Sequence, residues 1–185
     1  IFNLYLKPSS DPKCGSSMVA LGKPNIGGQF HLTDANGQKF SSKHLITQPS
    51  LIYFGYSYCP DVCPYDLLRN VLAVDTLHEK GKEIQPIFIT IDPTRDTPQR
   101  LREFSDFVHP KLIALTGSPD EIEEVMKLFK VYGKKSNQDP SDKSNYLMDH
   151  SAFTYLIDES GKFLDYFSRT VTSEDMVERI NCHLG

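Results

Sequence analysis

Hydrophobic positions along this chain change their spacing in a regular order. Residues 1–25 show no period and hold Pro8, Pro12, Gly15, Gly22 and Pro24, so they read as a linker or tether remnant. The domain then runs over residues 26–185. Gln29–Thr33 alternates apolar and polar, and Asp34-Ala-Asn-Gly37 is a turn signal before Lys39 and Phe40, which together predict a hairpin. Leu51–Tyr56 is a continuous apolar run, the pattern of a strand buried on both faces.

Helical spacing follows. Pro64 suits a first helical position, and Leu67, Leu68, Val71, Leu72, Val74 and Leu77 predict one apolar face. Pro86–Ile91 reads as a second buried strand. Asp96-Thr-Pro98 opens a helix with Leu101, Phe104, Phe107 and Val108 on one side, and Lys111–Thr116 is a third strand. Ser118-Pro-Asp-Glu121 is a capping-box pattern, followed by Ile122, Val125, Met126, Phe129 and Tyr132 at helical spacing and by Gly133, a helix stop. Lys134–Asn145 is polar and reads as a loop. Phe153–Ile157 and Phe163–Phe167 flank the turn Asp158-Glu-Ser-Gly161, and Thr172 or Ser173 caps a last helix with Met176, Val177 and Ile180. Alternating strands and helices predict an α/β fold: a mostly parallel central sheet, antiparallel edge strands and helices on both faces.

Composition adds bounds. The 185 residues suffice for one domain with a full core, and a net charge of −4 without a long basic run argues against a nucleic-acid partner. No apolar run reaches the length of a membrane span. Ile1–Leu6 is apolar but short, and reads either as the trailing end of a span or as a frayed terminus. The first residue is not Met, which suggests upstream processing. No dedicated dimer surface stands out, so a monomer is expected.

Four cysteines are too few for a disulfide scaffold at this size. Cys14 and Cys182 lack a motif; they read as free thiols or small apolar residues, with a Cys14–Cys182 bridge as the alternative. Cys59 and Cys63 differ. A buried strand delivers them, four residues apart and bracketed by Pro60 and Pro64, to the start of a helix. Side chains at i and i+4 stand close enough for a disulfide or for one soft metal ion. A helix N-terminus also lowers the pKa of a nearby thiol.

Six histidines compete as a third ligand. His31, His44, His78, His109 and His183 read as surface or capping residues. His150 stands where the polar loop meets a strand and reads either as a ligand or as a hydrogen-bonded structural histidine. Two thiolates and an imidazole would suit Cu(I), with Cu(II) if another ligand joins. Zn(II) usually takes four ligands, and Met148 and Asp149 do not obviously complete its shell. Asp92 follows a buried strand and reads equally as a residue supporting the site from behind or as a turn aspartate. Arg95 and Asp96 are expected in turn and cap contacts, and Asp61 is expected to be exposed.

Tyr53-Phe-Gly, Cys59-Pro-Asp-Val-Cys63-Pro, Ile91-Asp-Pro-Thr-Arg-Asp-Thr97, Leu115-Thr-Gly117 and Asp149-His150 occur in this order. This pattern resembles the Sco/SenC family, copper chaperones for cytochrome c oxidase, from about Gly22 to the C-terminus. The resemblance implies a thioredoxin-like fold with an extra N-terminal hairpin and a copper site of Cys59, Cys63 and His150. It further implies a membrane-anchored protein tethered by a preceding helix, on the periplasmic side of a bacterial inner membrane or in the mitochondrial intermembrane space. The implied partner is the oxidase subunit bearing the binuclear copper site, with a thiol reductant to keep the cysteines reduced. The function expected is that of a metallochaperone rather than an enzyme. A thiol-disulfide oxidoreductase or redox sensor cycling Cys59 and Cys63 is the alternative, although three residues separate these cysteines rather than the usual two. No peroxidase signature is seen.

Overall fold

A computed structural model describes Cys14, residues 25–136 and residues 146–185. The expected linker therefore lies outside the described residues except for Cys14 and residue 25, as does the 137–145 part of the expected loop. Nine strands and five helices are described. The strands are β1 (His31–Asp34), β2 (Lys39–Ser41), β3 (Ser50–Gly55), β4 (Gln85–Thr90), β5 (Ile113–Thr116), β6 (Gly133–Ser136), β7 (Leu147–His150), β8 (Thr154–Ile157) and β9 (Phe163–Phe167). The helices are α1 (Ser42–Leu45), α2 (Val62–Glu79), α3 (Pro98–Val108), α4 (Pro119–Leu128) and α5 (Ser173–Leu184).

Seven strands form one sheet in the order β2-β1-β5-β4-β3-β8-β9. The central trio β5-β4-β3 is parallel, and both flanks are antiparallel. The alternation of strands and helices predicts the parallel centre, and the closing hairpin predicts β8 and β9. The first hairpin also joins this sheet, by pairing Thr33 with Thr116 on β5.

The pleat separates two layers. Leu51 and Leu156 face α2 and α5, in a cluster with Val74, Leu77, Met176 and Ile180. Phe88, paired with Tyr53 on the same face, meets Phe104 of α3 at 4.9 Å between ring centroids. Phe54 points the other way, within 5.4 Å of Phe129 beyond α4 and 6.0 Å of Tyr155. Helices thus cover both faces. Complete burial of Phe54, Phe88 and Phe129 contributes roughly 1.5–3 kcal/mol for each side chain.

Several local expectations change. Leu68 and Leu72 are about half exposed and Phe107 is 90% exposed. A stripe at helical spacing is wider than the buried contact, and only its inner positions meet the sheet. Pro64 is the third residue of α2 rather than its first. Thr97 caps α3 through the Arg100 amide, so Asp96 does not. Residues 134–136 are strand, because β6 pairs with β7 in a separate two-stranded sheet. Ser118 and Glu121 do close the capping box on α4. A Cβ on Gly117 would come within 2.9 Å of the Glu121 carboxylate, which accounts for the glycine there.

Cys14 and Cys182 are joined by a disulfide, with their Cα atoms 5.4 Å apart. The bridge fastens residue 14 to the last turn of α5. His183 beside it is not a loose terminal residue. It faces the buried Asp165 at 3.3 Å, where Arg179 also binds. No helix among the described residues is long and apolar enough to cross a membrane.

Candidate metal centre

The parallel strand β3 ends at Gly55, and the chain turns through Tyr56–Asp61 into α2. In open α/β sheets ligands bind at this carboxyl end of the strands. The turn is set by the Cys59 amide donating to the Tyr56 carbonyl at 3.1 Å. Asp61 is exposed and makes no side-chain cap on α2. Sulfur takes that place: the Cys63 amide, one of the first N–H groups of the helix, donates to Cys59 Sγ at 3.3 Å. Helix starts leave such donors unpaired and favour negative charge, so a thiolate is well placed there.

The acidities of the two thiols diverge accordingly. Cys59 is half-buried and its pKa is lowered to about 3. The Cys63 thiol supplies the largest effect, aided by His150 and by the Cys63 and Asp61 amides, against the opposing effect of burial. Cys63 is buried, and the adjacent Cys59 together with desolvation pushes its pKa far above the ordinary thiol value. Cys59 is thus the more acidic of the two thiols and Cys63 the less acidic.

His150 closes the group from β7. Its Nε2 lies 3.5 Å from Cys63 Sγ, and its Nδ1 faces the Ser151 carbonyl at 2.8 Å. A carbonyl can only accept, so Nδ1 donates to it and Nε2 is the ring nitrogen left facing the thiols. The Tyr56 ring stands edge-on to the imidazole at 5.9 Å. Ligand atoms of Cys59, Cys63 and His150 all lie within 4.8 Å of one another. A depression of about 700 Å³ opens beside them, lined in part by Met148, Asp149, Phe153 and Arg169. Two thiols and an imidazole nitrogen form a soft donor set that could hold copper.

Polar groups support the centre from beneath. Tyr53 donates its hydroxyl to Asp66 at 3.1 Å, and Asn70 donates to Thr154 at 2.9 Å. Burial raises the Tyr53 phenol far above its ordinary pKa, with Cys63 and Asp66 adding to the effect. Burial also raises the Asp66 carboxyl, against the pull of Arg69. Asp66 sits three residues after Cys63 and, with Asn70, interrupts the apolar inner face of the helix; that mismatch was the available signal for it.

The other candidates are not at the metal group. The Asp92 carboxylate takes the Tyr146 hydroxyl at 2.7 Å and pairs with Arg95. Its connection to the centre thus runs through neighbours and not through a ligand atom. Asp96 accepts from the Ser57 amide and hydroxyl at 2.9 and 2.6 Å and from Thr90 at 2.6 Å, holding the turn after β3 to the end of β4. His78 and His109 pair with Glu83 and Asp75. His31 and His44 are exposed.

The family model described as SCO1/SenC matches residues 19–185. This chain belongs to the SCO1/SenC family. It is 46% identical to the protein SenC of Rhodobacter capsulatus over 159 residues, covering 86% of this chain and 71% of that protein. Among solved structures, copper-bound ScoI of Arabidopsis thaliana is 35% identical with a TM-score of 0.81, over 86% of this chain and 98% of the other. Yeast Sco1 with copper bound is 42% identical with a TM-score of 0.80, over 87% of this chain and 89% of the other. These neighbours share the fold described above, the thioredoxin-like fold expected from the sequence.

Proposed function

We propose that this protein binds one copper ion between Cys59 Sγ, Cys63 Sγ and His150 Nε2, and carries it to the binuclear copper site of cytochrome c oxidase during assembly. The observation that carries this reading is the meeting of three donor atoms from distant parts of the chain within 4.8 Å, beside an open depression. Relatives of the same fold are solved with copper bound. Cys59 is already disposed to be anionic, so the arriving cation displaces one proton, from Cys63. His150 needs no change of tautomer to offer Nε2. The exposed rim around Cys59 and Asp61 is where a recipient's ligands would take over the ion.

The reading is tested by loading reduced protein with Cu(I) and competing it against a chelator. One copper per chain is expected, with sharply weaker retention by His150→Ala. Equal retention by parent and variant would remove His150 from the site.

One observation favours a second reading, in which the dithiol reduces the cysteines of the oxidase copper site. A half-buried Cys59 thiolate beside a buried Cys63 thiol suits an attacking and a resolving sulfur. Each turnover would oxidise the pair to a Cys59–Cys63 disulfide and require a thiol reductant. Two incubations separate the readings: copper transfer from loaded protein to a reduced, copper-free oxidase fragment supports delivery, and loss of the disulfide of an oxidised fragment on adding the metal-free dithiol, with no transfer in the first, supports reduction. For location we infer a periplasmic or intermembrane-space protein, tethered by a helix preceding the domain. The Cys14–Cys182 disulfide supports this, since such bonds persist in oxidising compartments.

A further inference from the structure

Arg95 is bound both by the thiol loop and by the residue that leads into the histidine-bearing strand β7, yet none of its contacts is with a proposed ligand. It projects from the turn after β4 and pairs through Nε with Asp92, which is 2% exposed. Its Nη1 donates to the Tyr146 carbonyl at 2.9 Å. The guanidinium carbon lies 3.6 Å from the centre of the Tyr146 ring, 4.9 Å from that of Tyr58 and 5.6 Å from that of Tyr56. Its Nη2 is buried and has no hydrogen-bond partner among the described residues. The group is thus held by one ion pair, one carbonyl and three aromatic rings.

The rings are what tie this group to the centre. Tyr146 immediately precedes β7, which ends at His150. Tyr56 packs against the His150 ring, and Tyr58 adjoins Cys59. No backbone ladder links the β6-β7 ribbon to the seven-stranded sheet among the described residues. Side-chain contacts and the short connections at its ends therefore set where the ribbon rests, and Arg95 links the start of β7 to the thiol loop. Withdrawing a guanidinium even partly from water is costly unless geometry is fixed around it, and stacked guanidinium is the chemistry that lysine cannot reproduce.

We infer that Arg95 is a positioning residue that holds the histidine-bearing ribbon against the thiol loop, so that His150 reaches the sulfurs. This rests on the proposed copper site for its consequence, but the geometry can be read without metal. In reduced, metal-free protein, a nuclear Overhauser contact between the Tyr56 and His150 rings is expected in the parent. It should be lost in Arg95→Met, and largely lost in Arg95→Lys, which keeps the Asp92 pair without the ring stack. Tyr146→Phe, which keeps the ring under the guanidinium, should retain it. With Cu(II) added, Arg95→Met should keep the thiolate charge-transfer band but lose the nitrogen coupling seen by electron paramagnetic resonance. Its Cu(I) affinity should fall about tenfold. A folded Arg95→Met or Arg95→Lys protein with the full ring contact overturns the inference, whether or not copper binds. If Arg95→Met does not fold, Arg95→Lys decides. A parent whose copper spectrum ignores His150→Ala instead refutes the copper site and leaves the ring-contact result to judge Arg95.

Discussion

Gly55→Ala places one methyl group directly behind the metal centre. A Cβ there would stand 3.0 Å from Cys63 Sγ, 3.0 Å from a Tyr53 ring carbon and 3.1 Å from a Phe88 ring carbon. Comfortable contacts are a few tenths of an ångström longer, so something must give. Tyr53 is tied to Asp66 through its hydroxyl, and Phe88 is fully buried against Phe104. The Cys63 side chain needs only a rotation about its Cα–Cβ bond, so the sulfur is the group that yields. Overpacking a core costs about 1–3 kcal/mol, and easy movement of the sulfur places this case near 1 kcal/mol. For a chain of this size that is a fall in melting temperature of about 2–4 °C. Copper retention should suffer more, about tenfold or worse, because the displaced atom is a proposed ligand. Circular-dichroism melts of reduced metal-free protein, paired with Cu(I) chelator competition, measure both. A variant that melts about 10 °C lower and retains copper fully would show that a ring moved instead, and would refute the reasoning.

Other outcomes are as specific. Cys59 should react with iodoacetamide at nearly constant rate between about pH 5 and 8, while Cys63 stays protected, because the Cys59 pKa of about 3 leaves it ionised throughout; an inflection near the ordinary thiol value of about 8.5 would contradict this. Asp165 is buried, which opposes its ionisation, but His183 and Arg179 hold its pKa below the ordinary carboxylate value. A depressed native pKa gives stability that is present above the unfolded value of about 3.9 and lost as pH falls through the native one. Asp165→Asn should therefore destabilise the protein at pH 7, by about 3–5 kcal/mol, and flatten the acid limb of its stability profile in urea titrations. The Cys14–Cys182 bridge spans a sequence separation of 168 residues. Replacing both by Ser should cost about 2–5 kcal/mol in denaturant unfolding while leaving copper retention unchanged.

The elements that could be read from the chain are those whose cause is local. Leu51–Gly55 is unbroken apolar sequence and is buried at every position. Ser118 and Glu121 carry their capping box in the sequence itself. Cys59 and Cys63 advertise a site by spacing alone. The pairing of β1 with β5 was not legible, because it depends on hydrogen bonds between strands about eighty residues apart in the chain. Strand β6 was hidden for a related reason: Gly133–Ser136 is polar, and its conformation comes from facing β7. His150 had no motif of its own, so its place in the chain could not single it out and the family resemblance did. Arg95 and Asp96 looked like turn residues; their partners Tyr146, Tyr58, Ser57 and Thr90 lie on other segments. Leu68 and Leu72 show the converse error, an apolar character that tertiary packing leaves uncovered.

The bridge between Cys14 and Cys182 also orients the molecule. It sits at the tail of α5, whose Ile180 meets Leu77 near the tail of α2, whereas Cys63 stands at the head of that same helix. From Cys63 to Glu79, the last residue of α2, the helix rises by about 24 Å. The disulfide therefore pins residue 14 at the pole remote from the sulfurs, so a pull applied through that residue would load the tail of α5 and leave the thiol loop unstrained.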